Sequence, residues 1–296
     1  MRRSLLALLV GLVALAACAP DAPSEVRDDL GRTVALDGVP ESVLPLAPNV
    51  TELVAAAAGA DRLAAVSMSD SFPPEVNSLP RFQSLPLDAE RVVSLQPGLA
   101  IGSAEVNAAE SADGLAALGV PTYLFRFDEV ADVPRALRTL DTLLATTGGS
   151  PAADAFERRV AVVQNAVQPF SAPRVLLLVG DETLYAFGRE SYASELVRLA
   201  GGQNLTDVYP GAASQPSDEA VLEMAPEVII VLAGPDYESS RLLEHHPTFF
   251  SLPAVQNDRV YGIDPDLVSR PGPRLVEGLE RLARLLHPEA FAAGAA

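Results

Sequence analysis

The sequence predicts an α/β protein of two lobes, each with a central, mostly parallel sheet flanked by helices, joined by one long helix. Three observations predict it: short apolar runs alternating with helical stretches, a module found once in each half, and a helical pattern at the midpoint of the 296 residues. Apolar runs of strand length, separated by helices, mark strands buried on both faces of a parallel sheet.

In the first half the runs are 43–46, 63–66, 99–101 and 121–125. Between the first two, Asn49 reads as a helix N-cap and Glu52, three residues on, as its capping-box partner. Leu53, Val54, Ala57 and Ala58 continue that helix and Gly59 stops it. A second helix is expected over 109–118. In the other half, strands are expected at 174–179, 228–232 and 259–263, with helices near 194–199, 219–224 and 274–286.

The module runs from Glu90 through Val92, Val93, Leu95 and Pro97 to Leu99, Ala100 and Ile101. At one fixed offset come Glu219, Val221, Leu222, Met224, Pro226, Val228, Ile229 and Ile230. Each copy reads as a short helix, a Pro break and a buried strand, the mark of an internal repeat. Phe156, Val160, Val163 and Val167 recur at helical spacing after Gly148, Gly149, Ser150 and Pro151. The expected organisation is a lobe over 29–150, a bridging helix over 151–168 and a second lobe over 169–296.

The N-terminus sets the compartment. Arg2 and Arg3 precede an apolar run over 5–17, and two alanines precede Cys18, the one cysteine of the chain. A basic start, a short apolar stretch and small residues before a cut form a secretory signal. The run is shorter than the ~20 apolar residues that cross a bilayer. Small residues directly before a cysteine resemble the lipobox of bacterial lipoproteins, whose cysteine becomes the first mature residue and carries the lipid. Residues 1–17 are therefore expected as signal peptide and 18–28 as a lipidated tether. Cleavage before Cys18 removes 17 of the 296 residues and leaves 279.

Asp and Glu number 39 against 21 Lys and Arg, a net charge of −18, and no residue is lysine. A surface this acidic repels nucleic acid. Without lysine there is no Schiff-base chemistry and no P-loop. A Gly-x-Ser-x-Gly elbow is also absent, and the three histidines are His245, His246 and His287. All three lie in the second half, whereas a zinc or manganese carrier takes ligands from both lobes. They read as surface histidines. No catalytic residue, metal site or cofactor is expected, which leaves a hydrolase or a zinc or manganese carrier as the less favoured readings.

Ligands of parallel α/β sheets sit beyond the carboxyl ends of the strands, and gaps between lobes are preferred pockets. This picks Asn49, Ser69, Phe72 and Phe127 from the first lobe. From the second come Tyr185, Phe187, Arg189, Tyr237 and Asp266. Phe125 is expected in the core and Phe127 outward. Tyr185 and Phe187 alternate on one segment.

Several segments together resemble a known family: 29–34, 48–53, the Glu90 and Glu219 modules, 188–191, 201–204, and Arg-Pro-Gly-Pro-Arg at 270–274. They resemble, in order, the periplasmic binding proteins for cobalamin, ferric siderophores and haem, whose lobes are bridged by one long helix. The resemblance implies a protein that is not an enzyme. It implies a monomer held to a membrane through Cys18, which delivers a small organic or metal-chelate ligand to the permease dimer of an ABC importer. A cobalamin-type corrinoid is the first ligand it suggests, with a ferric siderophore or haem as the alternative. It also implies that Glu90 and Glu219 dock onto permease arginines. The chain departs from the cobalamin-binding branch where that branch grips the corrin ring with tryptophans and tyrosines: it has no Trp, and the matching loops carry Ser69, Ser84 and Leu267.

Overall fold

The computed structural model describes residues 25–146 and 148–292. The expected signal peptide and Cys18 lie outside the described residues. The described chain opens with a hairpin, β1 (Glu25–Arg27) antiparallel to β2 (Thr33–Ala35). The tether expected over 18–28 is therefore corrected at its end. The buried Asp28 carboxylate holds the turn by accepting hydrogen bonds from the N–H groups of Leu30 and Arg32 and from the Arg32 guanidinium. Asp29 then meets Arg135 at 2.9 Å, which ties the hairpin to the first lobe.

That lobe continues with β3 (Val43–Pro45), α1 (Pro48–Ala58), β4 (Val66–Ser67), β5 (Arg81–Phe82) and α2 (Ala89–Ser94). It ends with β6 (Leu99–Ser103), α3 (Ala109–Ala117), β7 (Thr122–Phe125) and α4 (Asp132–Leu143). The sheet is parallel in the order β3-β6-β7, with β4 and β5 paired in parallel beside it. Val43, Leu99 and Ile101 enter one core while Leu44 and Ala100 enter another with Val92 and Leu115. Both sheet faces are thus buried, which is why these strands read as unbroken apolar runs.

Helix α1 departs from the expected capping box. Ala47 is its N-cap, no side chain caps it, and Pro48 opens it. Proline suits this position because its fixed φ is helical and its missing N–H would have no partner there. Asn49 and Glu52 are freed for another task, described below.

The chain then forms α5 (Pro151–Val167) and the second lobe. This lobe comprises β8 (Arg174–Leu178), β9 (Ala186–Phe187), α6 (Tyr192–Leu199), β10 (Gln203–Asn204), β11 (Ala213–Ser214), α7 (Asp218–Met224) and β12 (Val228–Val231). After these come α8 (Ser239–His245), α9 (Pro253–Gln256), β13 (Val260–Gly262), α10 (Leu275–Leu286) and α11 (Pro288–Phe291). Its sheet runs β11-β9-β8-β12-β13 with β10 also on β8. The pairs β8–β12, β12–β13 and β8–β10 are parallel; β9 and β11 add an antiparallel edge.

Helix α5 joins the lobes. Its inward residues Ala153, Phe156, Val163 and Val167 belong to a core that extends into both halves. Burying each of the larger side chains contributes about 2 kcal/mol. Arg138 of α4 pairs with Glu157 at 2.7 Å and Asp154 at 2.9 Å, and Arg159 pairs with Glu280 of α10 at 2.8 Å. One helix is therefore pinned on either side by ionic contacts and along its length by apolar burial.

The repeated module is visible in three dimensions. In each lobe the strand that follows it, β6 or β12, is flanked by parallel strands on both sides. Asp88 caps α2 and Ser217 caps α7, each accepting a hydrogen bond from a first-turn N–H. Gln96 at φ 47° and Ala225 at φ 42° turn the two helices out through left-handed backbone, directly before Pro97 and Pro226. The histidines are corrected in part: His246 and His287 are buried, the first against Asp218 and Phe249, the second on the Gly201 carbonyl.

Candidate functional site between the lobes

Segments that follow strands of the two sheets meet across the lobes, and these contacts form the floor of the candidate site. Asn49, just after β3, donates from Nδ2 to the Pro271 carbonyl at 3.3 Å. Glu52 of α1 accepts two hydrogen bonds from Arg274, at 2.6 and 3.0 Å. The Glu52 side chain is 2% exposed and that of Arg274 13%. Burial pushes the Glu52 carboxyl above its usual range, and the Arg274 guanidinium opposes this. Asp266 adds a second carboxylate, 3.0 Å from Arg270 and 3.8 Å from Arg274. The ring of Phe72, in the loop after β4, lies 4.4 Å from the Arg274 guanidinium carbon, a cation–π contact. On another side, the Val130 N–H donates to Glu195 at 2.6 Å.

Loops near the strand ends of both lobes expose large apolar side chains. Met68 and Phe72 follow β4, Val106 follows β6, and Val179 and Tyr185 stand at the joined ends of β8 and β9. Next to Glu195 lies a cavity of ≈570 Å³ lined by residues of both lobes, among them Asp128, Glu129, Arg189 and Glu190. Arg189 donates to the Asp207 carbonyl at 2.8 Å. The candidate site thus offers exposed apolar loops, a charged cavity between the lobes and a floor of mutually paired ions. Such a surface holds a bulky ligand by its faces and orients it by its polar edges.

The sequence-based choices meet different fates. Ser69 is exposed on the rim, Phe72 is on the rim with its ring on Arg274, and Tyr185 is exposed. Phe187 is half-buried and packs toward the core. Tyr237 is half-buried with Arg241 5.6 Å from its ring centroid, and burial followed by nearby Asp181 raises the pKa of its hydroxyl. Asp266 is committed to two arginines. Asn49 is buried and spent on Pro271. Phe127 is a correction: it is 2% exposed, inside the core with its ring 6.0 Å from Phe125. The backbone after β7 turns it inward, and its N–H donates to Glu105 at 2.8 Å. The sequence reading missed Glu52 and Arg274 as partners, because a pair 222 positions apart leaves no local pattern.

Glu90 and Glu219 are exposed in the first turns of α2 and α7. Hydrogen bonds from its own N–H and from Ser217 hold the Glu219 carboxyl below its usual range, so it stays ionised. Among the described residues, no group of three or more His, Cys, Asp or Glu is arranged to hold a metal ion. No helix among them is long and apolar enough to cross a membrane.

Two parallel-sheet lobes joined by one long helix, with a cavity lined by both, have the architecture of a bilobal solute-binding protein. The chain belongs to the periplasmic binding protein family, which it matches over residues 43–267. It binds a solute and is not an enzyme. It is 25% identical over 308 aligned positions to YvrC of Bacillus subtilis (strain 168), an uncharacterized ABC transporter substrate-binding lipoprotein, with 96% of each chain covered. The vitamin B12-binding protein of Pectobacterium carotovorum is 27% identical over 252 positions, covering 84% of this chain and 89% of the relative. Among solved structures, the periplasmic heme-binding protein RhuT from Roseiflexus sp. RS-1 superposes with a TM-score of 0.73 at 24% identity, covering 84% of this chain and 99% of that one. The last likeness concerns the fold alone.

Proposed function

We propose that the chain is the lipid-anchored, extracytoplasmic receptor that hands a cobalamin-type corrinoid to an ABC importer. The observation that carries this reading is the exposed apolar rim. Met68, Phe72 and Val106 of one lobe and Val179 and Tyr185 of the other are exposed in loops near strand ends. Exposed apolar side chains gathered at strand ends suit a ligand with two broad faces. The polar groups of the floor suit the amide-rich edge of a corrinoid. The vitamin B12-binding relative supports the same choice.

Haem or a ferric siderophore is the second reading, favoured by Arg189 and Arg198, two arginines that line the inter-lobe cavity among four acids and that suit carboxylates or an anionic chelate. Titration of the purified chain with cyanocobalamin, hemin and a panel of ferric siderophores, followed by calorimetry, separates the two. Tight binding of cyanocobalamin alone is expected; tight binding of hemin or a siderophore with no response to cyanocobalamin refutes the corrinoid.

In this reading Glu90 and Glu219 dock onto permease arginines. Their equivalent places in the repeat suit a two-fold partner, since symmetric sites call for symmetric contacts. Cys18 carries the lipid, and the protein works as a monomer. Cys18→Ser is expected to move the protein from the membrane fraction to the soluble one.

A further inference from the structure

The surface around Glu219 holds a feature that the docking acids do not explain. Residues 247–251 form a 3-10 turn packed against α7. His246, at its start, is buried and its Nδ1 lies 2.8 Å from Oδ1 of Asp218, the residue before Glu219. Phe249 stacks on the His246 ring at 4.9 Å between centroids and is fully buried. Phe250, its neighbour, is 65% exposed. Gln256 fixes the backbone there by donating to the Phe250 carbonyl at 2.6 Å. One phenylalanine anchors the turn while the other is presented outward beside the first turn of α7.

The first lobe shows the same pairing by a different route. Leu85 is also exposed, three residues before the Asp88 cap of α2, and so stands near Glu90. Each module's exposed acid thus has an exposed large apolar side chain on a neighbouring segment.

We propose that Phe250 is the apolar anchor of the second lobe's docking surface. It inserts into an apolar pocket beside the basic residue that receives Glu219 on the importer's membrane subunit. The occupant follows from the chemistry. The neighbourhood carries Asp218, Glu219, Glu223 and Glu244 on a chain of net charge −18, so the partner surface is basic. Aromatic residues dominate the energy of interfaces when a polar rim surrounds them. The proposal rests on the docking reading of Glu219 and adds a residue to it.

The test uses the full chain and its cognate importer in nanodiscs, with association measured for Phe250→Ala, Glu219→Ala and Val208→Ala. Val208 is the control because it is 68% exposed and lies outside α7 and the 3-10 turn that packs on it. Phe250→Ala is expected to weaken association at least tenfold, with the melting temperature kept. Raising salt should shrink the Glu219→Ala defect and leave the Phe250→Ala defect in place. Val208→Ala should bind as the parent does. If Glu219→Ala weakens association and Phe250→Ala does not, Phe250 is no anchor although the docking reading survives. If neither variant weakens it, both ideas fail together.

Discussion

Arg274 of the second lobe delivers two hydrogen bonds to the buried carboxylate of Glu52 in the first, while Phe72 covers the guanidinium at 4.4 Å. This contact bridges the two halves at the start of α10, the helix that packs on α5. The Glu52–Arg274 strut and α5 both tie the lobes together. The ring of Phe72 links this strut to the apolar rim, so a ligand that touches Phe72 also touches the strut.

Removing one partner leaves a buried charge without its counter-ion, which costs about 3 kcal/mol, whereas replacing both with apolar residues is often close to neutral. Arg274→Met is expected to lower unfolding stability by about that amount. Glu52→Leu combined with Arg274→Met should recover most of the loss. Urea unfolding of the two single variants and the double gives the coupling directly. Additive losses in the double would remove the strut.

Tyr185 and Phe127 separate ligand contact from core packing. Tyr185 is 51% exposed, so Tyr185→Ala should weaken ligand binding by about tenfold, or ~1.4 kcal/mol, and leave the melting temperature alone. Phe127→Ala opens a core cavity and should cost about 3 kcal/mol of stability. Calorimetric titration and thermal melts on both variants check this. A Tyr185 variant that binds as well as the parent would take Tyr185 off the rim.

The fold was legible because its evidence is local. Strand runs such as 228–232 are apolar since both sheet faces are covered, and the repeated module carries its own Pro break. Phe127 was misread because alternation along a strand does not survive its end: after Phe125 the backbone turns, and both rings enter the core. Asn49 and Glu52 were misread for the opposite reason. A capping box is a local pattern, but Pro48 already opens α1, and the two side chains serve partners far along the chain. The hairpin at Glu25 was hidden inside a polar stretch that differs little from a tether until the Asp28 hydrogen bonds are seen.

The Arg159–Glu280 pair gives the bridge a pH dependence. Hydrogen bonds from Arg159 hold the Glu280 carboxyl below its ordinary value of 4.5. A carboxylate with a lowered folded pKa adds stability above its unfolded pKa and loses it as pH falls through the folded one. The pair's contribution should therefore be present near neutrality and fade as the pH falls below the ordinary carboxylate value and through the lowered one. It is partly exposed, so about 0.5 kcal/mol is expected after screening. Melts of the parent and Glu280→Gln should differ at pH 7 and converge at pH 3. A difference that stays constant over this range would assign the effect to packing.

Glu90 and Glu219 give the sharpest test of docking, because each is exposed and neither belongs to the core. Each lies in the first turn of a short helix already capped by another residue, Asp88 or Ser217. Alanine at both positions should leave the melting temperature and the ligand affinity unchanged. Uptake by cells that depend on this receptor should fall by an order of magnitude or more, since paired charges at an interface act on encounter and register. Each single substitution should have an intermediate effect if the two sites engage equivalent halves of one permease dimer. Normal uptake by the double variant would leave the acids as helix-start residues, favoured there only by the helix dipole.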